Sequence, residues 1–162
     1  MPLLEFTKSG IYCPVAGVHI DPWKPVERAL ITHGHADHSR WGHRSYLCTE
    51  SAKPVIRHRL GDVNIQTIKY GEQIDIGGVK FSFHPAGHIL GSAQIRVEHQ
   101  GEVWVASGDY KLGKNAAGRP LSSAVLRRHY GSSARHPQIE AGDRSGAAVL
   151  RVKNKHNGSF TS

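Results

Sequence analysis

Four metal-ligand side chains, His33, His35, Asp37 and His38, fall within six consecutive residues directly behind the apolar run Ala29-Leu30-Ile31. A strand ending in such a loop projects imidazole and carboxylate groups together, and those donors suit Zn²⁺ and neighbouring first-row divalent ions. One histidine in a polar loop would mean little, but His-x-His-x-Asp-His is a ligand cluster. In extended chain, residues two apart face the same way, so His33 and His35 can share one metal. Asp37 and His38 lie beyond that reach and suit a second metal, from a helix-opening turn.

Two neighbouring metals need donors from elsewhere in the chain. His88 sits in His84-Pro85-Ala86-Gly87-His88-Ile89-Leu90-Gly91-Ser92, a Pro/Gly-rich turn after the strand-like Val79–Phe83, where a loop can aim a side chain inward. Asp109 closes Val103-Trp104-Val105-Ala106-Ser107-Gly108-Asp109, another apolar strand ending in glycine and a carboxylate. Taken alone, a strand-end Asp is more often a turn former. Beside a histidine cluster it becomes a ligand candidate.

The coarse pattern is mixed α/β with hairpins. Strands are expected at Leu3–Thr7, Ile11–Tyr12, Val18–Ile20, Ala29–Thr32, Tyr46–Thr49, Ile65–Ile68, Ile74–Ile76, Val79–His84, Gln94–Glu98 and Val103–Ala106, separated by glycine turns. Thr49 can cap a helix from Glu50 toward Leu60, with Pro54 in its first turn and Gly61 at its end. Such a pattern suits half of a sandwich of two sheets flanked by helices, with the site on strand-end loops.

The His33–His38 loop, the later Gly87-His88 and Ser107-Gly108-Asp109 resemble the metallo-β-lactamase superfamily. Within it, Ile11-Tyr12-Cys13-Pro14, Ile20-Asp21-Pro22-Trp23, Pro85–Gln94 and Ser107–Lys111 resemble ligase-associated DNA exonucleases, which belong to the β-CASP nucleases. The likeness runs from about Leu3 to Lys111. It implies an αββα sandwich, of which this chain would carry the N-terminal half, and a two-zinc phosphodiesterase, with Mn²⁺ as an alternative metal. By matching positions, His33, His35 and His88 would hold one zinc and Asp37 and His38 the other. Asp109 would bridge them, and Asp37 and Asp109 would be the carboxylates on which catalysis depends. Asp21 would support the metal loop from behind, and His84 is a second such support or a satisfied surface histidine. DNA, as single strands or ends, is the implied substrate, with RNA a relative's substrate and an ATP-dependent DNA ligase the functional partner. Arg40 and Arg44 could approach substrate phosphates. Trp41 could stack on a base, although packing under the metal loop is the commoner fate of such a residue.

A complete member of that family would continue into a β-CASP insertion and a closing half that supplies another metal-binding histidine, so the second zinc site is expected to be incomplete. From residue 113 the character of this chain changes instead. Residues 1–114 carry 13 Lys and Arg against 11 Asp and Glu, whereas residues 115–162 carry 8 against 2, so three quarters of the net +8 lies in the last 48 residues. That stretch is rich in Ala, Gly, Ser and Arg, shows no sustained strand alternation, and offers only Leu121–His129 as a short helix. The reading is therefore two parts: 1–112, metallo-β-lactamase-like, and 113–162, an unrelated, disordered basic tail that looks like a shifted reading frame. A basic arm for nucleic acid is the other reading.

No 18-residue apolar run suits a membrane span, and the N-terminus lacks a signal peptide's charged start and apolar stretch. Cytoplasm is the expected compartment. Cys13 and Cys48 lie outside any metal spacing and read as reduced structural thiols. Three functions stay open: a metal-dependent nuclease of the ligase-associated type, weak or inactive in this chain; another hydrolase of the superfamily acting on a thioester or lactam; and a non-catalytic zinc-binding fragment whose tail binds nucleic acid.

Overall fold

The computed structural model describes residues 1–110, 138–142 and 148–152. Its strands β1 (Glu5–Thr7), β2 (Gly10–Cys13), β3 (Val18–Ile20), β4 (Arg28–Leu30), β5 (Ser45–Thr49) and β6 (Ile65–Ile68) form one sheet in chain order. The first three pair antiparallel and β3 to β6 run parallel. Helix α1 (Lys53–Leu60) makes the crossover from β5 to β6, as parallel neighbours require. A second, antiparallel sheet has the order β11 (Gln138–Gly142), β12 (Ala148–Val152), β10 (Glu102–Ser107), β9 (Ala93–His99), β8 (Val79–Pro85), β7 (Gln73–Ile76).

Side-chain alternation decides which layer each residue enters. On β4 and β5, Leu30 and Leu47 face the second sheet and join Phe81, Phe83, Ile95, Val97 and Trp104 in the larger core. Their neighbours Ala29, Tyr46 and Cys48 face the other way and pack against Ala52, Ile56 and Leu60 at α1. Burying Phe81 and Phe83 completely is worth roughly 1.5–3 kcal/mol each over leaving them in water, so the interface between the sheets dominates the fold. Helix, sheet and sheet thus stack as three layers, the arrangement expected of a partial αββα sandwich.

Three elements depart from the sequence reading. The helix opens at Lys53 rather than Glu50, because Thr49 remains in β5; its Oγ1 accepts from the Ala52 N–H at 3.2 Å while donating to the Gly91 carbonyl at 2.7 Å. Beyond residue 112, where no strand was expected, β12 adds antiparallel to β10 and β11 adds to β12. The proposed helix Leu121–His129 lies outside the described residues. No helix among them is long and apolar enough to cross a membrane.

Three strand-end loops converge at one end of the sandwich. The Ala93 N–H donates to the Thr32 carbonyl at 2.8 Å, tying the start of β9 to the end of β4. Gly108 lies so close to Thr32 that a Cβ there would sit 2.3 Å from Thr32 Oγ1. Gly91, at φ +79, backs onto the entrance of α1, where a Cβ would meet the Ala52 nitrogen at 2.2 Å. Only glycine permits both approaches. The loops carrying His33, His88 and Asp109 are thereby locked together.

Candidate metal centre

Asp21 is the hub behind the metal loop. It follows β3 with φ 45, a left-handed conformation uncommon outside glycine, and is 6% exposed. Its Oδ1 accepts the Thr32 N–H at 2.8 Å, and its Oδ2 accepts both the Thr32 hydroxyl at 2.5 Å and His38 Nδ1 at 2.8 Å. Because the Thr32 proton is committed to Asp21, Thr32 Oγ1 is left to accept from His33 Nδ1, 3.1 Å away. One carboxylate therefore fixes two tautomers, with the Nε2 lone pairs of His33 and His38 facing outward.

Those lone pairs meet the other predicted donors. His33 Nε2 lies 3.1 Å from His35 Nδ1, which lies 3.2 Å from His88 Nε2. Asp109 Oδ2 is 3.8 Å from His33 Nε2 and 3.4 Å from His88 Nε2. These four donor atoms lie within 4.8 Å of one another. Four ligands placed tetrahedrally about 2.0–2.1 Å from a zinc ion would stand about 3.3 Å apart, close to what is seen. His38 Nε2, buried and without a hydrogen-bond partner, faces Asp37 Oδ2 at 3.6 Å and Asp109 Oδ1 at 3.8 Å. An orphaned buried nitrogen is costly unless something else fills its lone pair, and two carboxylate oxygens at that distance fit a shared cation. The donor set thus fits a metal at the first group and a second metal at the other, with Asp109 offering one oxygen to each.

Electrostatics separates the two histidines that Asp21 orients. Burial, aided by His38, pushes the pKa of His33 down to about 4, leaving it an unprotonated donor at neutral pH. Burial also opposes charge on His38, but its hydrogen bond and attraction to Asp21, with Asp37 and Asp109 nearby, outweigh this and raise its pKa.

Other predicted positions fall differently. His84 is buried rather than on the surface, with Nε2 2.9 Å from Ser82 Oγ. Arg40 is exposed beside the metal loop, its Nε 3.4 Å from the Asp37 carbonyl. Arg44 is not brought to the site: it pairs with Glu27 at 3.2 Å where the parallel strands β4 and β5 begin, whereas the metal loop leaves β4 at its far end. Trp41, expected to pack beneath the loop, is 61% exposed. His35 to Ser39 form a turn closed by the His38 and Ser39 N–H groups on the His35 carbonyl, and no helix opens there.

Sequence reasoning gave Thr32, Ser39, Ser92 and Arg59 no role. Ser92 Oγ accepts the His88 and Ile89 N–H groups at 3.0 and 3.2 Å and so shapes the His88 turn. Arg59, on the last turn of α1, donates through Nη1 to the Gly34 carbonyl at 2.8 Å and to Ser39 at its carbonyl and hydroxyl, 3.2 and 2.5 Å. A single guanidinium clamps both ends of the ligand loop. Arg59→Met should therefore weaken zinc binding by about 10- to 100-fold, as losses of ligand-orienting partners do, in a competition titration against a chromogenic chelator. Unchanged affinity in a folded Arg59→Met protein would contradict this role.

No family model matches the chain. A probable DNA ligase of Opitutus terrae is 31% identical over 118 residues, covering 70% of this chain and 11% of the relative. Endoribonuclease YSH1 of Saccharomyces cerevisiae is 33% identical over 82 residues, covering 46% of this chain and 10% of the relative. Among solved structures, a protein of unknown function from Enterococcus faecalis V583 shares the fold, with TM-score 0.52 at 16% identity over 70% of this chain and 33% of that one. Fold and donor loops together bring to the strand ends a His/Asp group that could hold a metal ion. The chain belongs to the metallo-β-lactamase superfamily, on its β-CASP nuclease branch, and carries a partial segment of that fold. It spans about a tenth of the length of these two curated relatives.

Proposed function

We propose that this chain forms the metal-binding part of a nucleic-acid phosphodiesterase, most like a ligase-associated DNA exonuclease. The observation that carries the reading is the convergence of His33, His35, His88 and Asp109 on one point, with Asp37 and His38 sharing Asp109 beside it. Imidazole and carboxylate donors favour zinc, with manganese the alternative. Bound there, such ions would lower the pKa of water toward neutrality and would offset charge developing on phosphoryl oxygens.

The chain's own residues do the rest. His33 and His38 are held in the tautomers that donate, Asp109 sets the separation of the two donor groups, and exposed Arg40 is placed to meet a substrate phosphate. DNA is favoured because the relative that covers most of this chain among those named above is a probable DNA ligase, which also supports an ATP-dependent DNA ligase as functional partner. RNA is the second reading, favoured by the endoribonuclease relatives.

The second donor group has three side chains among the described residues against four in the first, so turnover by this chain is expected to be slow. With protein in excess over labelled single-stranded DNA and Zn²⁺ or Mn²⁺ present, slow cleavage should occur and disappear in Asp109→Ala and Asp37→Ala. Cleavage that survives Asp109→Ala, or hydrolysis of a thioester with DNA and RNA left intact, would contradict the proposal.

A further inference from the structure

Leaving a large aromatic side chain in water forgoes the stabilisation its burial would bring, so a displayed indole invites a reason. Trp104 is 3% exposed in the core between the sheets, whereas Trp41 is 61% exposed. Trp41 is also held in place. The hydroxyl of Tyr46, itself 1% exposed, donates to the Arg40 carbonyl at 2.8 Å and accepts the His43 N–H at 3.3 Å, pinning the backbone on both sides. Gly42, at φ +94, lies against Pro25, where a Cβ would come within 3.0 Å of the proline Cγ. The turn therefore presents its indole from an anchored base.

Its position is informative. Trp41 stands three residues after His38, so their backbones are at most about 11 Å apart. The other two donor loops also expose an apolar side chain within two residues of a donor, Leu90 at 70% beyond His88 and Tyr110 at 46% beside Asp109. Arg40 stands next to Trp41 and is likewise exposed. An exposed indole and an exposed guanidinium on consecutive residues suit a nucleotide, base against indole and phosphate against arginine.

We infer that Trp41 and Arg40 form a nucleotide-binding site at the rim of the metal loop, taking an unpaired base by stacking and its phosphate by ion pairing. The inference rests on the nucleic-acid reading above and narrows the substrate to a single strand or a frayed end, because a base within a duplex has no free face to offer.

The test is binding of a fluorescent oligothymidylate to the full chain in chelator, at salt low enough that phosphate-only binding can still be measured. An abasic oligomer with the same sugar-phosphate backbone serves as comparison. Trp41→Ala should weaken binding to oligothymidylate by about 5- to 150-fold, the usual worth of one stacked base, and leave abasic binding unchanged. Trp41→Phe should retain most of the affinity. Unaltered oligothymidylate binding by Trp41→Ala, or equal losses on both oligomers, would overturn the site and leave Trp41 as a contact for a protein surface. Asp109-dependent cleavage that persists with no effect of Trp41 would refute this site alone, whereas stacking without any such cleavage would refute the nuclease reading.

Discussion

Alanine at Asp21 is expected to abolish tight metal binding and to cost the metal-free fold about 3–5 kcal/mol, since three buried donors lose their acceptor at roughly 1–3 kcal/mol each. The carboxylate is buried and accepts from the Thr32 N–H, the Thr32 hydroxyl and His38 Nδ1. Truncation strands all three groups away from water, and each unsatisfied group carries its own penalty. It also frees the tautomers of His33 and His38, so both donor groups lose orientation at once, each with a loss of roughly 10- to 100-fold in affinity. Asp21→Asn separates the two effects. Its amide keeps the shape and one acceptor, restoring part of the stability, but its NH₂ cannot accept from His38. Chelator competition and denaturant unfolding read the two quantities, and an Asp21→Ala protein that holds zinc within twofold of the parent would contradict this role.

Acidification of the metal-free protein should destabilise it between pH 6.5 and about 4. His33 has its folded pKa depressed to about 4 from 6.5, so below pH 6.5 the unfolded chain takes up a proton that the folded chain refuses. Stability present at neutral pH is lost over that window, about 3 kcal/mol in all at 1.36 kcal/mol per pKa unit. His38 works in the opposite sense. Its folded pKa is raised, so its contribution is complete below pH 6.5 and is lost as pH rises through the folded value. The expected profile rises slightly on descending to pH 6.5 and then falls. Urea midpoints across pH 4–7.5 in chelator would show it, and His33→Asn should flatten the acid limb. A parent protein equally stable at pH 4.5 and 6.5 would refute the assigned burial of a neutral imidazole.

How much of this was legible in the sequence depends on how local each signal is. The ligand loop announces itself in six residues, and His88 and Asp109 could be found because each follows an apolar run and a glycine. Strand alternation marked β8 and β9 closely, since Phe81, Phe83, Ile95 and Val97 face a single core. Arg44 was misleading because β4 and β5 are parallel: the connection carries the chain from the metal end of the sheet back to the opposite end, so six residues beyond His38 is far from it in space. Arg59 left no trace, being 20 residues from Ser39, and its place in the basic last turn of α1 already had a reason in the helix dipole. Trp41 looked like core by residue type, and nothing local says that Tyr46 props its turn outward. In β12 the short apolar run Ala148–Leu150 was hidden by its Arg, Gly and Ser surroundings, and its partner β10 lies some 40 residues earlier.

Anomalous diffraction at the zinc edge, from crystals of the full chain grown with Zn²⁺, tests the central claim most directly. The predicted result is a strong peak enclosed by His33 Nε2, His35 Nδ1, His88 Nε2 and Asp109 Oδ2, with a weaker second peak among His38 Nε2, Asp37 and the other Asp109 oxygen. A well-folded protein with no peak at that cluster, or with its strongest peak at other histidines, would contradict the account.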